Sequence, residues 1–319
     1  MRSYEVGLPR PVSAIGLGTW QFGSKEWGYG DTYLDTARQL VRRALELGVT
    51  LIDTAEIYGF GRSERVVGEA LEGRREEALI ATKVFPVMPT AFVVEQRAVA
   101  SAERLGVTEL DLYQVHQANP VIRDLITMRG MKALRQVGLV RAVGVSNYGL
   151  ARWRKADAAL GAPVLSNQVQ YSLTCRGPEN DLIPFAQTED RLIIAYSPLA
   201  QGLLSGHYDR DHRPTNLRRF RSGFAPENLD RIAPLLTVLR EIADAHDATA
   251  SQVALAWVIS HDRVVAIPGA SSLEQLESNV AAAELDLGVD EITALNTASA
   301  AYEPTHGPRA IWHAARRKG

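Results

Sequence analysis

Leu79-Ile80-Ala81-Thr82-Lys83 is a short apolar run that stops at a lysine. A strand buried on both faces reads this way, as an unbroken apolar run rather than an alternation. The pattern recurs throughout the chain. Leu51-Ile52-Asp53 lies upstream. Downstream come Leu112-Tyr113-Gln114-Val115-His116, Ala142-Val143-Gly144-Val145-Ser146-Asn147, Val164-Leu165-Ser166-Asn167-Gln168, Ile193-Ile194-Ala195-Tyr196 and Val264-Val265-Ala266-Ile267-Pro268-Gly269. Ala14-Ile15-Gly16-Leu17-Gly18 supplies a first strand ahead of these seven. Apolar residues at helical spacing fill the intervals, over 33–47, 63–71, 93–105, 121–137, 150–160, 183–188, 251–259 and 273–283. Gly48 and Gly73 mark the ends of the first two. Strand then helix about every 30 residues is the βαβ unit. Eight of them predict a (β/α)8 TIM barrel, in which the C-terminal strand ends gather around one mouth. Asp53, Tyr58, Lys83 and His116, far apart in sequence, would then share one pocket.

The chain has 319 residues, 46% of them apolar, ample for a core. An α/β barrel commonly runs this long as one unit, so residues 1–319 read as a single domain. The 35 basic and 37 acidic side chains leave no electrostatic footprint for nucleic acid and no pull toward an anionic membrane. Cys175 is the only cysteine, which fits a reducing compartment. Met1-Arg2-Ser3-Tyr4-Glu5 lacks the apolar core of a signal peptide. No run approaches the roughly 18 apolar residues of a membrane span. The expectation is a cytoplasmic protein. Three pieces exceed the repeat. Residues 1–13 read as a hairpin plugging the barrel bottom, around Gly7-Leu8-Pro9-Arg10. Residues 200–224 read as a Gly- and Arg-rich loop, followed by an added helix over 229–245. A last helix over 290–300 precedes a tail that contains Trp312 and His313.

The four polar residues make chemical sense together. A tyrosine that donates a proton near neutral pH needs its pKa drawn from about 10 toward 7. An ammonium about 4 Å away supplies roughly 4 kcal/mol at an effective dielectric near 20, or about three pKa units. Burial acts the other way on tyrosine and neutralises lysine, so the lysine needs a counter-charge. Asp53 supplies it. His116 could hydrogen-bond a substrate oxygen or relay a proton to it. Such a group protonates an oxyanion as it forms on a carbonyl, and nicotinamide is the usual hydride source. His212, His246 and His261 show no metal spacing and read as surface residues; no metal is implied.

The chain resembles the aldo-keto reductase superfamily over nearly its whole length. The markers are Gly16-Leu17-Gly18-Thr19-Trp20, Asp53-Thr54-Ala55-Glu56-Ile57-Tyr58-Gly59, Ala81-Thr82-Lys83, Asp111-Leu112-Tyr113-Gln114-Val115-His116, Gly144-Val145-Ser146-Asn147, Asn167-Gln168-Val169-Gln170-Tyr171, Tyr196-Ser197-Pro198-Leu199 and Ile267-Pro268-Gly269-Ala270-Ser271. The resemblance implies a catalytic tetrad of Asp53, Tyr58, Lys83 and His116, with Tyr58 the general acid. It implies NADP(H) as cofactor, less often NAD(H), and a small carbonyl or alcohol substrate. Thr19 and Trp20 would border the cofactor. Ser146, Asn147 and Gln168 would hold the nicotinamide carboxamide, and Tyr196 would stack on the ring. Ser197, Leu199, Gln201, Gly202, Leu203 and His207 belong to the loop that crosses the pyrophosphate. Pro268, Gly269, Ala270, Ser271, Ser272, Gln275 and Asn279 belong to the adenosine end. Trp20, Trp27, Tyr58, Phe85 and His116 would line the substrate pocket. A cofactor-binding redox sensor with little turnover is the alternative function; a Schiff-base aldolase through Lys83 ranks below it, because Asp53 keeps that lysine charged.

Departures from the family pattern bear on the cofactor. Relatives with a Ser-Pro-Leu loop often carry a lysine where His207 stands, a weaker and pH-dependent cation. Gly269 and Gln275 stand where NADPH-specific members place cations for the 2′-phosphate, and Ser278 where an acidic residue contacts adenine. Arg218, Arg219 and Arg221 are the candidate replacements, since arginine suits phosphate. Gln117-Ala118-Asn119 follows the histidine where an aspartate is common.

Overall fold

The computed structural model describes residues 1–23, 33–214 and 217–305. It opens on a hairpin, with β1 (Ser3–Tyr4) antiparallel to β2 (Val12–Ser13). Ser13 N–H donates to Thr50 Oγ1 at 2.9 Å and Thr50 N–H returns to Ser13 Oγ at 3.0 Å, which ties the hairpin to the base of the next barrel strand. Among the described residues eight parallel strands follow: β3 (Leu17–Gly18), β4 (Leu51–Asp53), β5 (Leu79–Val84), β6 (Leu110–Val115), β7 (Val140–Ser146), β8 (Ser166–Gln170), β9 (Leu192–Tyr196) and β10 (Val264–Ala266). Each pairs in parallel with its sequence neighbour. β5 and β6 are buried along their whole length, polar Thr82, Lys83, Asp111 and Gln114 included.

The sheet closes on itself. Ile15 bridges in parallel to Ala266, Gly16 N–H donates to Ala266 O at 2.8 Å, and Gly18 N–H donates to Pro268 O at 3.1 Å. The seam depends on a small residue. A Cβ on Gly18 would lie 2.7 Å from the Ile267 carbonyl oxygen, and that oxygen belongs to backbone that cannot rotate away.

Helices cover the outside: α1 (Leu34–Glu46), α2 (Arg62–Ala70), α3 (Ala91–Leu105), α4 (Asp124–Gln136), α5 (Leu150–Leu160), α6 (Leu182–Thr188), α7 (Pro226–Ala245), α8 (Ala250–Ser260), α9 (Leu273–Ala281) and α10 (Val289–Ala300). α1 shows the logic. Ala37, Leu40, Val41, Ala44 and Leu45 repeat at helical spacing and are the residues it buries. α4 starts later than its apolar spacing suggests, because Asn119 Oδ1 accepts from the N–H groups of Val121 and Ile122 and holds that stretch in a turn. α7 and α10 are additions to the barrel. The stretch read as a loop from 200 to 224 contains tight 3-10 turns at Ala200–Ser205, Leu217–Phe220 and Ser222–Phe224. Among the described residues no helix is long and apolar enough to cross a membrane.

Gly18→Ala tests the seam. Overpacking against backbone costs about 1–3 kcal/mol, so the variant is expected to unfold a few degrees below the parent in a thermal melt. An unchanged or higher midpoint would show that the seam has room to spare.

Candidate active site

Lys83 lies next to the end of the fully buried β5, with its ammonium inside the barrel. Its side chain is 0% exposed and that of Asp53 is 3% exposed. Nζ donates to Asp53 Oδ2 at 2.7 Å, to Thr54 O at 2.8 Å and to the Tyr58 hydroxyl at 3.3 Å. All three ammonium donors are therefore used. The other Asp53 oxygen, Oδ1, accepts from Gln168 Nε2 at 2.7 Å, from across the barrel. His116 stands edge-on to the Tyr58 ring at 5.7 Å, and Phe85 stands edge-on to His116 at 6.0 Å. Asp53, Tyr58, Lys83, His116, Phe85 and Gln168 thus meet, as the strand-end pattern required.

Burial pushes Lys83 toward neutrality, but Asp53 and Tyr58 more than offset it, and its pKa lies above the ordinary lysine value. The ammonium stays charged. Tyr58 departs from the sequence expectation of a lowered pKa. Burial raises it, Lys83 draws it down, and the net value lies above that of an ordinary tyrosine. Desolvation of the phenolate outweighs one ammonium at 3.3 Å in the protein alone. The hydroxyl therefore holds its proton until an acceptor arrives. His116 is pushed down to about 3, first by burial and then by Lys83, so it is a neutral imidazole. Its Nδ1 is buried without a hydrogen-bond partner among the described residues.

The loop that carries Tyr58 is clamped by further side chains. Glu56 accepts from Phe85 N–H and pairs with Arg97 at 2.8 Å; Arg97 also donates to Phe85 O at 2.8 Å. Ser63 Oγ lies 2.7 Å from Thr19 Oγ1 and 2.9 Å from Thr54 Oγ1. Thr19 is fully buried and donates to Asp53 O at 2.8 Å, so its hydroxyl serves the protein framework. Trp20 is half-buried beside it.

The residues implied for a cofactor flank this group. Ser146 is buried at the end of β7; Asn147 follows at φ 59. Asn147 Nδ2 donates to Ser146 Oγ at 3.0 Å, and its Oδ1 accepts from the Tyr196 hydroxyl at 3.0 Å. After Tyr196 the backbone takes left-handed conformations at Ser197, Ala200, Gln201 and Gly202, turning the chain sharply past Leu199 and the buried Leu203. Such clusters of costly conformations mark functional loops. His207 is exposed. Near β10, Ala270 O accepts from Gln21 Nε2 and from the Tyr33 hydroxyl, both at 2.8 Å. Ser272 caps α9, Gln275 Oε1 accepts from Ser271 N–H at 2.9 Å, and Asn279 Nδ2 donates to Gly269 O at 3.3 Å. Pro268 is buried at the seam. Trp27, the tail with Trp312 and His313, and the side chain of Arg219 lie outside the described residues.

Two readings of histidine need correction. His261 is half-buried against the Tyr171 hydroxyl, with Nδ1 at 3.2 Å, and against the Trp257 ring. His246 is half-buried and pairs with Glu291 at 2.8 Å. Both lie in contacts between distant elements, which single-residue spacing does not reveal. Cys175 is half-buried and burial pushes its thiol up.

A barrel built in this way, with a charged ammonium against a phenol at its mouth, is a (β/α)8 protein equipped for proton transfer. A family model described as the Aldo/keto reductase family matches residues 14–300, and the chain belongs to that family. Over 308 residues it is 56% identical to an uncharacterized oxidoreductase of Mycobacterium tuberculosis (strain ATCC 25618 / H37Rv), covering 96% of this chain and 95% of that one. It is 36% identical over 297 residues to methylglyoxal reductase YeaE of Escherichia coli (strain K12), covering 93% of each. A crystal structure of an aldo-keto reductase from Klebsiella pneumoniae in complex with NADPH matches with a TM-score of 0.76 at 31% identity, covering 93% of this chain and 95% of that one.

The neutral state of His116 has a measurable consequence. Unfolded, the imidazole takes a proton near pH 6.5; folded, it resists down to about 3. The unfolded chain binds the extra proton in that window, so this contribution to stability is present above about pH 6.5 and is lost as pH falls toward 3. His116→Asn is therefore expected to lose less stability than the parent between about pH 7 and about pH 5 in urea titrations. Equal losses would show that the imidazole is charged or solvated in the fold.

Proposed function

We propose that this protein is an NADP(H)-dependent oxidoreductase, with NAD(H) as the alternative cofactor, that reduces an aldehyde or ketone to an alcohol. The observation that carries the reading is the Lys83 ammonium held by Asp53 at 2.7 Å and set against the Tyr58 hydroxyl at 3.3 Å. The surroundings fit a nicotinamide dinucleotide. Gly269 is exposed beside Gln21, whose Oε1 is buried without a hydrogen-bond partner among the described residues, and a Cβ at Gly269 would lie 2.9 Å from it. Ser146, Asn147 and Gln168 offer amide and hydroxyl groups for the carboxamide, and Tyr196 offers a half-buried ring to stack on. The turns at Ser197, Leu199, Gln201, Gly202 and Leu203 and the capped start of α9 would hold the phosphates and adenosine. Bound there, the cofactor supplies the hydride.

The chain's own residues do the proton chemistry. Tyr58 keeps its proton in the resting site because phenolate is costly there. As negative charge grows on a carbonyl oxygen, that oxygen becomes a stronger base, and Tyr58 donates to it. Lys83 stabilises the phenolate left behind, and Asp53 fixes the ammonium that does so. His116 is uncharged and can donate one hydrogen bond to the same oxygen without adding a proton of its own. Phe85 and Trp20 wall the pocket and limit water.

Tyr58→Phe is expected to lower turnover by about 10²–10⁴-fold, the usual contribution of a general acid. Cofactor affinity should stay at the parent value. The assay follows loss of reduced-nicotinamide absorbance with methylglyoxal and with an aromatic aldehyde as probes. Retained turnover would remove Tyr58 from the role. Fluorescence titration with NADPH and NADH checks the cofactor. Tighter NADPH binding supports the preferred assignment despite Gly269 and Gln275, whereas equal or tighter NADH binding points to the alternative.

A further inference from the structure

The loop after β5 cannot hold itself. Phe85-Pro86-Val87-Met88-Pro89-Thr90 contains prolines at 86 and 89, and neither has a backbone N–H to give. Within the loop, Val87 N–H donates to Phe85 O at 2.9 Å and Thr90 N–H to Met88 O at 2.7 Å. Other backbone groups are fixed by side chains from elsewhere. Glu56 accepts from Phe85 N–H, Arg97 donates to Phe85 O, and the Thr127 hydroxyl donates to Pro89 O at 2.8 Å. Between these anchors, Asn119 Nδ2 donates to Pro86 O at 2.7 Å. Pro86 directly follows Phe85, and Asn119 belongs to the segment that directly follows His116. This one hydrogen bond therefore joins the two segments whose rings, Phe85 and His116, stand edge-on at 6.0 Å.

The amide has one orientation. Asn119 Oδ1 accepts from Val121 N–H at 2.8 Å and from Ile122 N–H at 2.6 Å, which leaves Nδ2 to face Pro86. Arg152 backs the segment: its Nη2 donates to Asn119 O at 3.0 Å while its Nε pairs with Asp124 at 2.6 Å. The turn needs only the side-chain oxygen, and an aspartate would serve it as well. Among the described residues, Nδ2 donates only to the Pro86 carbonyl. Turn geometry thus explains one end of this side chain and leaves the other to the pocket wall. We propose that Asn119 is a positioning residue for the substrate: its amide pins the loop after β5 to the segment after β6, so that Phe85 stands as a fixed wall against His116 and favours a carbonyl compound that carries an aromatic ring. Tyr58 and Phe85 both meet His116 edge-on, a packing that a further ring can join. This rests on the reduction chemistry proposed above and adds to it a choice among substrates. Asn119 acts on that choice through Pro86 and Phe85, not by contact with the reacting atoms.

Asn119→Asp in the full chain tests the idea. The carboxylate keeps the acceptor for Val121 and Ile122 but turns an oxygen toward the Pro86 carbonyl, so the brace opens while the turn stays. Benzaldehyde and methylglyoxal are the probes, one with a ring for the wall and one without. The expected result is a kcat/KM for benzaldehyde about tenfold lower, carried by KM, with kcat held and methylglyoxal kinetics within about twofold of the parent. NADPH affinity by fluorescence titration should also hold. Parent kinetics with both probes would overturn the proposal. So would an equal loss on both, which is what a general loosening of the fold produces. A parent that reduces methylglyoxal but not benzaldehyde overturns it as well. If Asn119→Asp does not fold, Asn119→Ser takes its place: the hydroxyl still accepts in the turn but falls short of Pro86, and a parent ratio of the two kcat/KM values overturns the proposal. Tyr58→Phe is run in parallel. If it keeps its turnover, the reduction chemistry fails rather than the role of Asn119.

Discussion

Everything at the mouth depends on one buried ion pair. Lys83 and Asp53 are both removed from water, and isolated charges there would neutralise or unfold the barrel. The pair survives because its spare hydrogen-bonding capacity is filled: by Thr54 O and Tyr58 on one side, by Gln168 on the other. Neighbouring strands β4 and β5 supply the charges, and the opposite wall supplies the amide. A barrel is the economical way to bring these together, since its interior lets residues on facing strands touch while each stays on a rigid element.

Much of this was legible in the sequence, for a definable reason. Apolar runs that stop at Asp53, Lys83, His116 and Gln168 carry the strand positions, and closure into a barrel then forces their ends to converge. The long loop over 200–224 and the extra helices near 229–245 and 290–300 could likewise be read as surplus to the repeat. Where the reading failed, the missing information was three-dimensional. The pKa of Tyr58 depends on the balance between desolvation and one ammonium, and sequence gives only the second. Glu56 with Arg97, and Glu64 with Arg104, are partners from different layers, with no local spacing to announce them. Asn119 stands where an aspartate is common, and only the Pro86 carbonyl, brought close by the fold, gives its amide a use.

The surrounding shell is held together in different ways around the mouth. On the Tyr58 side, Glu56, Arg97 and the hydroxyls of Thr19, Thr54 and Ser63 fix the loop with short contacts. Asn119 adds a second brace, donating to Pro86 O at 2.7 Å while its own oxygen holds the start of the next loop. Opposite, around Asn147 and from Ser197 to Gly202, the backbone sits in conformations that non-glycine residues rarely keep.

The seam between β3 and β10 is where the sheet becomes a barrel. Every other junction in the sheet is a ladder between named strands, whereas this one is a bridge at Ile15 and Ala266 with backbone bonds from Gly16, Ala266 and Gly18. Amides at that junction should exchange with solvent ahead of those in β5 and β6, through partial opening rather than global unfolding. The strands on its two sides lead to Thr19 and Trp20 and to the segment beginning at Gly269. A ligand that spans both would lock the junction from above, so occupancy of the mouth and the lifetime of the closed barrel are one equilibrium seen from two ends.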